Sequence, residues 1–440
     1  MVEFQTLFLG IVFGIWPVRV MVSPPVASVE IVLDGTGVGA VSAEPWTLRC
    51  DFGPPSPHEL VAIGRNAQGE EVTRIRQWVN LPKPPALAQL FVEGAGKDRP
   101  FGLARLSWNT LSAAKTKRIH VLLDGKEIPA KNPSAIELPA VDTKTAHLLS
   151  AEVVFADGTE ARAEAAFGGE VAGGAQSELT AVPIVVRDGA KLPPPEQMEG
   201  WFSDRGRPIR VIAVDEGLAD VVVVFDQDVL GRFRGLTPVR RSTSVIVRSE
   251  GTLQASRGGN RLYAMFAVPQ VIRAPGHEVR SLFPLSVPMP LDPSELAWAV
   301  FNLQFSAAKP SEQTLANAVA TAGLQAAAVN RRRAVVVLVG EPRPDRSTIS
   351  VEAARVFLQN IDVPLFIWSP DPRLARTDLP GWGRPREVSS DLLFLGAFAR
   401  LQTSLQAQRI VWLEGSHLPQ RITLSADVKD AFLARGVVRN

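Results

Sequence analysis

The chain has 440 residues, 46% of them hydrophobic, which is enough to bury two or three separate cores. Its 47 basic and 45 acidic residues are mixed along the chain and give a formal net charge of +2. This balance excludes the basic stripe or acidic tail that would indicate nucleic acid or a charged membrane as a partner. We therefore expect about three domains and no nucleic-acid partner.

The first 27 residues are similar to a secretory signal peptide. The apolar run from Thr6 to Trp16 has the length of a signal-peptide core and is too short to span a bilayer as a helix, and small residues follow around Ala27. The stretch before the run contains Glu3 and no Lys or Arg, so a misplaced start, a lipid-facing anchor and a first strand remain alternatives. We interpret residues 1–27 as a signal peptide and predict an extracytoplasmic protein. No other segment predicts an integral membrane span.

A strand-and-turn pattern occurs twice. The run from Val29 to Gly35 recurs from Ile119 to Gly125, an offset of 90 residues, and each copy ends in Asp-Gly. Further on, the offset is 89: His58, Leu60, Ala62, Ala67, Gly69 and Glu71 match His147, Leu149, Ala151, Ala156, Gly158 and Glu160. A nearly constant offset, with Asp-Gly closing a β-branched run, is typical of two copies of one small β-domain. The matched histidines are expected to have a packing or hydrogen-bonding role in each copy.

Proline-rich segments set the predicted domain boundaries. Three prolines lie within residues 81–85 and three within residues 192–195, and prolines this close together favour extended linkers. We predict all-β, Ig-like sandwich modules over residues 28–85 and 86–190. Tandem modules of this kind usually display, space or bind, so this half of the chain does not favour catalysis.

After about residue 200 the pattern changes to apolar runs separated by alanine-rich helical stretches. Continuous apolar runs, as in strands buried on both faces of a sheet, lie at residues 221–225, 262–268, 334–339, 363–368 and 409–413. Helical periodicity at residues 314–329 and 349–361 completes βαβ units. The sequence predicts an α/β doubly wound, Rossmann-type domain over residues 200–440.

In such a domain, ligands bind beyond the carboxyl ends of the strands. Asp226 and Asp228 follow the first apolar run, and Thr314 opens a helix. Glu341 follows the third run, with Asp345 close behind it. These oxygen-bearing side chains are the candidate site of the domain.

The chain resembles the acidobacterial VWFA-related group, in which a von Willebrand factor type A domain follows Ig-like modules. The features that carry the resemblance are the Leu-Asp-Gly hairpins, the segment Leu106-Ser107-Trp108, the segment from Glu178 to Pro183, and the run from Arg332 to Leu338 ahead of Val363-Pro364-Leu365. The resemblance covers most of the chain after Val29 and implies a metal-ion-dependent adhesion site, formed by Asp-x-Ser-x-Ser, a Thr and a further Asp.

Carried over to this chain, the resemblance implies a degenerate metal site. Asp226 and Thr314 match the first aspartate and the threonine, whereas Asp228 and Leu230 stand at the serine positions. Glu341, or a displaced Asp345, replaces the last aspartate. A hard divalent cation needs about six oxygen ligands, and Leu230 supplies none, so we expect no bound Mg²⁺ and no other cofactor.

Other chemical signals are weak. No two of the five histidines have the i, i+4 spacing of a helical zinc pair, and no nucleophile elbow, P-loop or dinucleotide fingerprint follows a strand. The only cysteine, Cys50, is interpreted as a buried thiol. The run Arg331-Arg332-Arg333 is interpreted as a solvated charge run beside a helix end rather than an anion patch.

The sequence therefore predicts a non-enzymatic extracytoplasmic protein that adheres to or binds another protein. The partner's identity stays open. The alternative is a structural subunit of a larger cell-envelope assembly, in which the A-like domain packs permanently. A monomeric binding module should be soluble alone, whereas a subunit should resist release from its complex.

Overall fold

The computed structural model describes residues 1–6, 8, 10–82, 86–93, 101–110, 114–156, 159–169, 179–226, 229, 259–274, 277–302, 313–340 and 344–435. Within these residues the chain forms β-sandwich units and one layered α/β unit. In this described part of the chain, no helix has the length and apolar character needed to cross a bilayer.

The first unit is a β-sandwich whose described strands are all antiparallel. They are β1 (Val2–Phe4), β2 (Ile15–Val22), β3 (Ser28–Leu33), β4 (Thr36–Val41), β5 (Thr47–Asp51), β6 (His58–Arg65) and β7 (Glu71–Val79). One sheet has the order β1-β2-β5 and the other has β4-β3-β6-β7. Side chains alternate along a strand, so Val29, Ile31 and Leu60 point between the sheets and form the core.

The second unit repeats this arrangement. Its strands are β8 (Ala86–Glu93), β9 (Leu103–Thr110), β10 (Thr116–Leu123), β11 (Lys126–Ile128), β12 (Ile136–Glu137), β13 (His147–Phe155) and β14 (Glu160–Phe167). The sheet orders are β12-β9-β8 and β11-β10-β13-β14. Each strand has a counterpart in the first unit, at the same position of the corresponding sheet. The predicted internal repeat is therefore confirmed.

The first module begins before the predicted start at residue 28. Strands β1 and β2 supply two of the three strands of one sheet, and Val2 and Val18 lie in its core. The repeat explains this difference, because the second module also has two strands, β8 and β9, before its Asp-Gly hairpin. Residues 15–22 thus form a strand, which includes Ile15 and Trp16 at the end of the apolar run; the signal-peptide interpretation of residues 1–27 stays a prediction. Cys50 is fully buried on β5, as predicted, and burial raises the pKa of its thiol to about 11.

A third β-sandwich is built from two distant parts of the chain. Its strands are β15 (Leu179–Val186), β16 (Phe202–Asp204), β17 (Arg207–Ile209), β18 (Val211–Asp215), β27 (Gln408–Glu414), β28 (Ile422–Leu424) and β29 (Ala431–Leu433). They form sheets of order β18-β27-β15-β29 and β17-β16-β28. Between the sheets lie Val182, Phe202 and Val411. The chain between β18 and β27 is thus inserted into this sandwich.

The inserted segment is the α/β unit. Its sheet contains β19 (Ala219–Phe225), β20 (Arg261–Phe266), β23 (Met289–Pro290), β24 (Arg332–Leu338), β25 (Leu365–Ser369) and β26 (Arg386–Glu387). A separate hairpin pairs β21 (Gln270–Ala274) with β22 (His277–Ser281). The helices are α1 (Pro293–Asn302), α2 (Leu315–Ala327), α3 (Val351–Asn360) and α4 (Asp391–Gln406).

The sheet order is β23-β20-β19-β24-β25-β26, and the strands are parallel except for β23. Counted within the unit, this order is 3-2-1-4-5-6, which is that of a doubly wound sheet. One face packs on α1 and α4 through Val221 and Val223, and the other packs on α2 and α3 through Val222 and Val224. Burial of both faces explains the continuous apolar runs.

One predicted strand and two further predicted boundaries are wrong. The second module, predicted over residues 86–190, ends before β15, which belongs to the third sandwich. The apolar run at residues 409–413 was expected in the parallel sheet, but it is β27, which is antiparallel and belongs to the third sandwich. The predicted α/β domain over residues 200–440 therefore includes strands of another unit. The run is apolar on both faces because Val411 lies in the sandwich core, whereas Trp412 contacts the second module beside Leu148.

The α/β unit is anchored to the second module at the N-terminal ends of its parallel strands. Arg331, just before β24, is 1% exposed, and its guanidinium donates to Glu152 (3.0 Å) and Glu160 (3.2 Å). It also donates to Asp220 (3.2 Å), and Arg261 donates to Glu160 (2.6 Å). These five residues are called the ion cluster below. Because the strands are parallel, their carboxyl ends lie at the opposite edge, about 20 Å away for a seven-residue strand.

Candidate functional site

Asp226 stands where the strand order of the α/β sheet reverses. It follows β19, which pairs with β20 on one side and with β24 on the other. Its side chain is buried, and Oδ2 accepts a hydrogen bond from the backbone N–H of Gly340 at 3.1 Å. Asp226 therefore links the carboxyl ends of β19 and β24 at the switch point, which is where doubly wound domains bind their ligands.

Thr314 lies at the same edge and holds the start of α2 against the end of β20. Its backbone N–H and its hydroxyl both donate to the carbonyl of Ala267, at 2.9 Å and 3.4 Å. The hydroxyl makes no capping bond to α2, although Thr314 is the residue before the helix. Asp226 and Thr314 thus both lie at the carboxyl edge of the sheet, and their part in a site stays a prediction.

Asp345 caps the N-terminus of α2. Its Oδ1 accepts from the N–H of Leu315 (2.9 Å) and its Oδ2 accepts from the N–H of Ala316 (3.0 Å). The hydroxyl of Ser347 donates to the same carboxylate at 2.7 Å. A carboxylate at this place also interacts favourably with the helix dipole. Both oxygens of Asp345 serve the helix, which does not favour the alternative of a displaced metal ligand.

Asp228, Leu230 and Glu341 lie outside the described residues, so their part in the site stays a prediction. Within the described residues, no group of three or more His, Cys, Asp or Glu side chains could hold a metal ion. Asp226 and Thr314 offer one carboxylate, already bonded to a backbone N–H, and one hydroxyl. This donor set falls short of the about six oxygens that a hard divalent cation takes.

A further polar pair, which the sequence patterns did not identify, lies at this edge. Asp371, two residues after β25, is 8% exposed and accepts hydrogen bonds from the guanidinium of Arg373 at 3.0 Å and 3.3 Å. The buried hydroxyl of Ser369 accepts from the N–H of Asp371. The sequence contained a signal for this pair, because Ser369 and Asp371 come one and three residues after the apolar run at residues 363–368.

The ion cluster was also missed, and the interpretation of Arg331 as part of a solvated charge run is wrong. Three carboxylates face two guanidinium groups there, so the cluster carries one more negative than positive charge. Burial and the neighbouring Glu152 raise the pKa of Glu160. Burial likewise raises the pKa of Asp220, although Arg331 acts against this shift. The cluster anchors the domain rather than forming part of the sheet-edge site.

The histidines of the repeat are structural, as predicted. His58 donates from Nδ1 to Asp34 (2.7 Å), and His147 donates from Nδ1 to Asp124 (2.8 Å). Each aspartate precedes the glycine of its hairpin. The His–Asp bond therefore links the β3–β4 turn to β6 in the first module and the β10–β11 turn to β13 in the second. Burial lowers the pKa of His147, but the bonds to Asp124 and to the carbonyl of Asp142, together with the charges of both aspartates, raise the pKa overall.

Comparisons with known proteins do not assign a family: no family model matches the chain, and no curated protein matches it. Fibronectin(III)-like modules of Clostridium thermocellum CbhA are similar to 18% of this chain over 93% of their own length, at 16% identity and a TM-score of 0.17. The central fibronectin-III array of RIM-binding protein is similar to 48% of this chain over 80% of its own, at 12% identity and a TM-score of 0.20.

A third solved structure is SGBP-B of the Bacteroides ovatus mixed-linkage glucan utilization locus, in complex with a mixed-linkage heptasaccharide. The likeness covers 38% of this chain and 46% of that one, at 14% identity and a TM-score of 0.14. TM-scores this low carry no argument about fold or function. The strand pairings of this chain establish the sandwiches.

Proposed function

We propose that this chain is a non-enzymatic, extracytoplasmic interaction protein that contacts another protein through the carboxyl edge of its α/β sheet. One observation carries the proposal: the ion cluster anchors the α/β unit by the N-terminal ends of its strands. The β-sandwiches thus hold the unit from one side and leave the edge that carries Asp226 and Thr314 on the other. In this arrangement the sandwiches present the carboxyl edge of the sheet to a partner.

A von Willebrand A-like identity of the α/β unit is part of the proposal. The 3-2-1-4-5-6 strand order and the place of Asp226 after the first strand support it. We propose that adhesion does not use a metal ion, because Leu230 stands where the resemblance implies a hydroxyl ligand. Residues 344–346, beside the edge, are exposed and available for a partner.

Capture of a partner by the purified full-length chain tests this proposal. Arg346→Glu reverses an exposed charge at the edge, and Arg187→Glu reverses an exposed charge on the third sandwich as a matched control. We expect Arg346→Glu to lose a partner from native envelope that wild type and Arg187→Glu both retain, with or without EDTA. Equal capture by both variants, or loss of capture in EDTA, would contradict the proposal.

A structural subunit of a cell-envelope assembly is the second candidate, and α4 favours it. Three of its leucines are unusually open to solvent: Leu392 is 81% exposed, Leu395 46% and Leu393 41%. Exposed apolar side chains grouped on one helix end mark surfaces that another protein covers. For a permanent subunit we expect co-purification in a complex that resists high salt, whereas a binding module should purify as a monomer.

A further inference from the structure

A groove of about 800 Å³ separates the second module from the third sandwich. Residues 212–218 line one side of it without interruption, and Leu122 and Leu148 line the other. The groove opens beside the apolar contact in which Leu148 meets Ile212. A volume of this size lies within the range of ligand-binding clefts, about 300–1,000 Å³.

The groove follows the edge of a β-sheet. Strand β18 is the last strand of its sheet, and among the described residues β27 is the one strand with which it pairs. The other side of β18 therefore presents backbone N–H and C=O groups toward the groove. Natural edge strands are usually protected by Lys, Pro or a covering segment. The sequence of β18, Val-Ile-Ala-Val-Asp, contains no Lys or Pro, and the short helical turn Pro195–Gln197 packs beside the strand and lines part of the groove.

The walls of the groove combine an apolar floor with an acidic rim. Ile212 and Leu148 are 2% and 8% exposed and form the floor. The side chains of Glu127 and Glu216 are 65% and 79% exposed and stand at the rim. Among the described lining residues, six carboxylates face three guanidinium groups, and Arg409, outside the lining, pairs with Glu216 at 2.9 Å, which leaves two more carboxylates than guanidinium groups. This excess of negative charge attracts a basic ligand.

From this geometry we propose that the groove binds an extended basic segment of another protein, which adds to β18 as a further strand. Strand addition takes its affinity from main-chain hydrogen bonds and its specificity from alternate side chains. In the bound segment, one set of alternate side chains faces the floor of the groove and is aliphatic. The other set faces the acidic rim and consists of Lys or Arg. The part of β18 that lines the groove, residues 212–215, spans about 13 Å, so the central residues of a longer segment pair with it.

The probe is a capped, fluorescein-labelled peptide of alternating lysine and valine, seven residues long, and binding to the full-length chain is followed by fluorescence anisotropy. Two further peptides are methylated on backbone nitrogens, one at the lysines only and the other at the valines only. A strand added to an edge uses the N–H groups of alternate residues. We therefore expect one methylated peptide to lose at least about tenfold in affinity and the other to bind like the parent.

Protein variants test the location. Glu127→Lys combined with Glu216→Lys reverses the charge of two rim residues and should lower the affinity for the parent peptide by about tenfold or more. The matched control, Glu3→Lys combined with Glu70→Lys, reverses two charges on the first module and should leave the affinity unchanged. A photo-crosslinking residue in the peptide should mark residues 211–218 and 122–128 by mass spectrometry.

Three results would overturn the proposal: absence of saturable binding, equal effects of the two methylation patterns, or crosslinks confined to other surfaces. The outcome is independent of the sheet-edge function. Arg346→Glu should leave peptide binding unchanged even where it removes the partner of the α/β edge.

Discussion

Replacement of Arg331 by Met tests whether the ion cluster joins the second module to the α/β unit. Arg331 is 1% exposed and donates to three carboxylates at 3.0 to 3.2 Å. Met keeps much of the side-chain volume but removes the charge, which leaves Arg261 as the one guanidinium within the ion cluster. Loss of one partner from a buried ion pair typically costs about 3–5 kcal/mol. We expect the free energy of unfolding to fall by about this amount at neutral pH.

The pH dependence of the loss identifies its cause. The pKa values of Glu160 and Asp220 are already raised by burial, and removal of Arg331 raises them further. A carboxyl whose pKa is raised on folding contributes stability that is present below its unfolded pKa and is lost as pH rises through its folded pKa. The loss in free energy of unfolding caused by Arg331→Met should therefore become smaller on acidification from about pH 7.5 to about pH 5, where the unpaired carboxylates take up protons.

Urea unfolding of the full-length chain, followed by tryptophan fluorescence at both pH values, measures the effect. Arg187→Met removes an exposed guanidinium of the third sandwich and is the control, with an expected change within about 0.5 kcal/mol. A deficit below about 1 kcal/mol, or one of equal size at the two pH values, would refute the argument that Arg331 neutralises buried carboxylates.

Three further predictions concern the hairpin, the histidine pair and the metal. Gly125 has a φ of +77°, so Gly125→Val should lower the stability of the second module by about 1–3 kcal/mol; an unchanged unfolding midpoint would contradict the predicted turn. Asp124→Asn should weaken the bond that raises the pKa of His147, and since a raised histidine pKa stabilises below its unfolded value, the loss should be larger at acid than at alkaline pH in thermal unfolding. Millimolar Mg²⁺ should leave the melting temperature unchanged, whereas a working site at a hundredfold excess over Kd would add about 2.7 kcal/mol; a rise that disappears in Asp226→Ala would restore metal-dependent adhesion.

Short-range physics determined what the sequence could predict. The Asp-Gly turns at Asp34 and Asp124 follow from local chemistry, because a tight hairpin needs positive φ values and Asp-Gly adopts them at both positions. The matched His58 and His147 follow from the same repeat. Apolar runs such as residues 221–225 predicted strands buried on both faces, since a parallel sheet covered by helices leaves no polar face. Asp226 was predicted as a site residue because ligands bind beyond the strand ends of such sheets, and Thr314 because it opens a helix and matches the threonine of the resemblance; their role stays a prediction.

Tertiary structure alone decided how the units are assembled. Val182 pairs with Val411, 229 positions away, to build the third sandwich around the inserted α/β unit. No local pattern marks this pairing, because a central antiparallel strand and a central parallel strand can both be apolar on two faces when another module covers one of the faces. Arg331 gives the same lesson for charge: a run of arginines predicts solvation until the fold brings carboxylates of another module against it. Burial and ion pairing depend on residues distant in the sequence, so only the folded chain determines them.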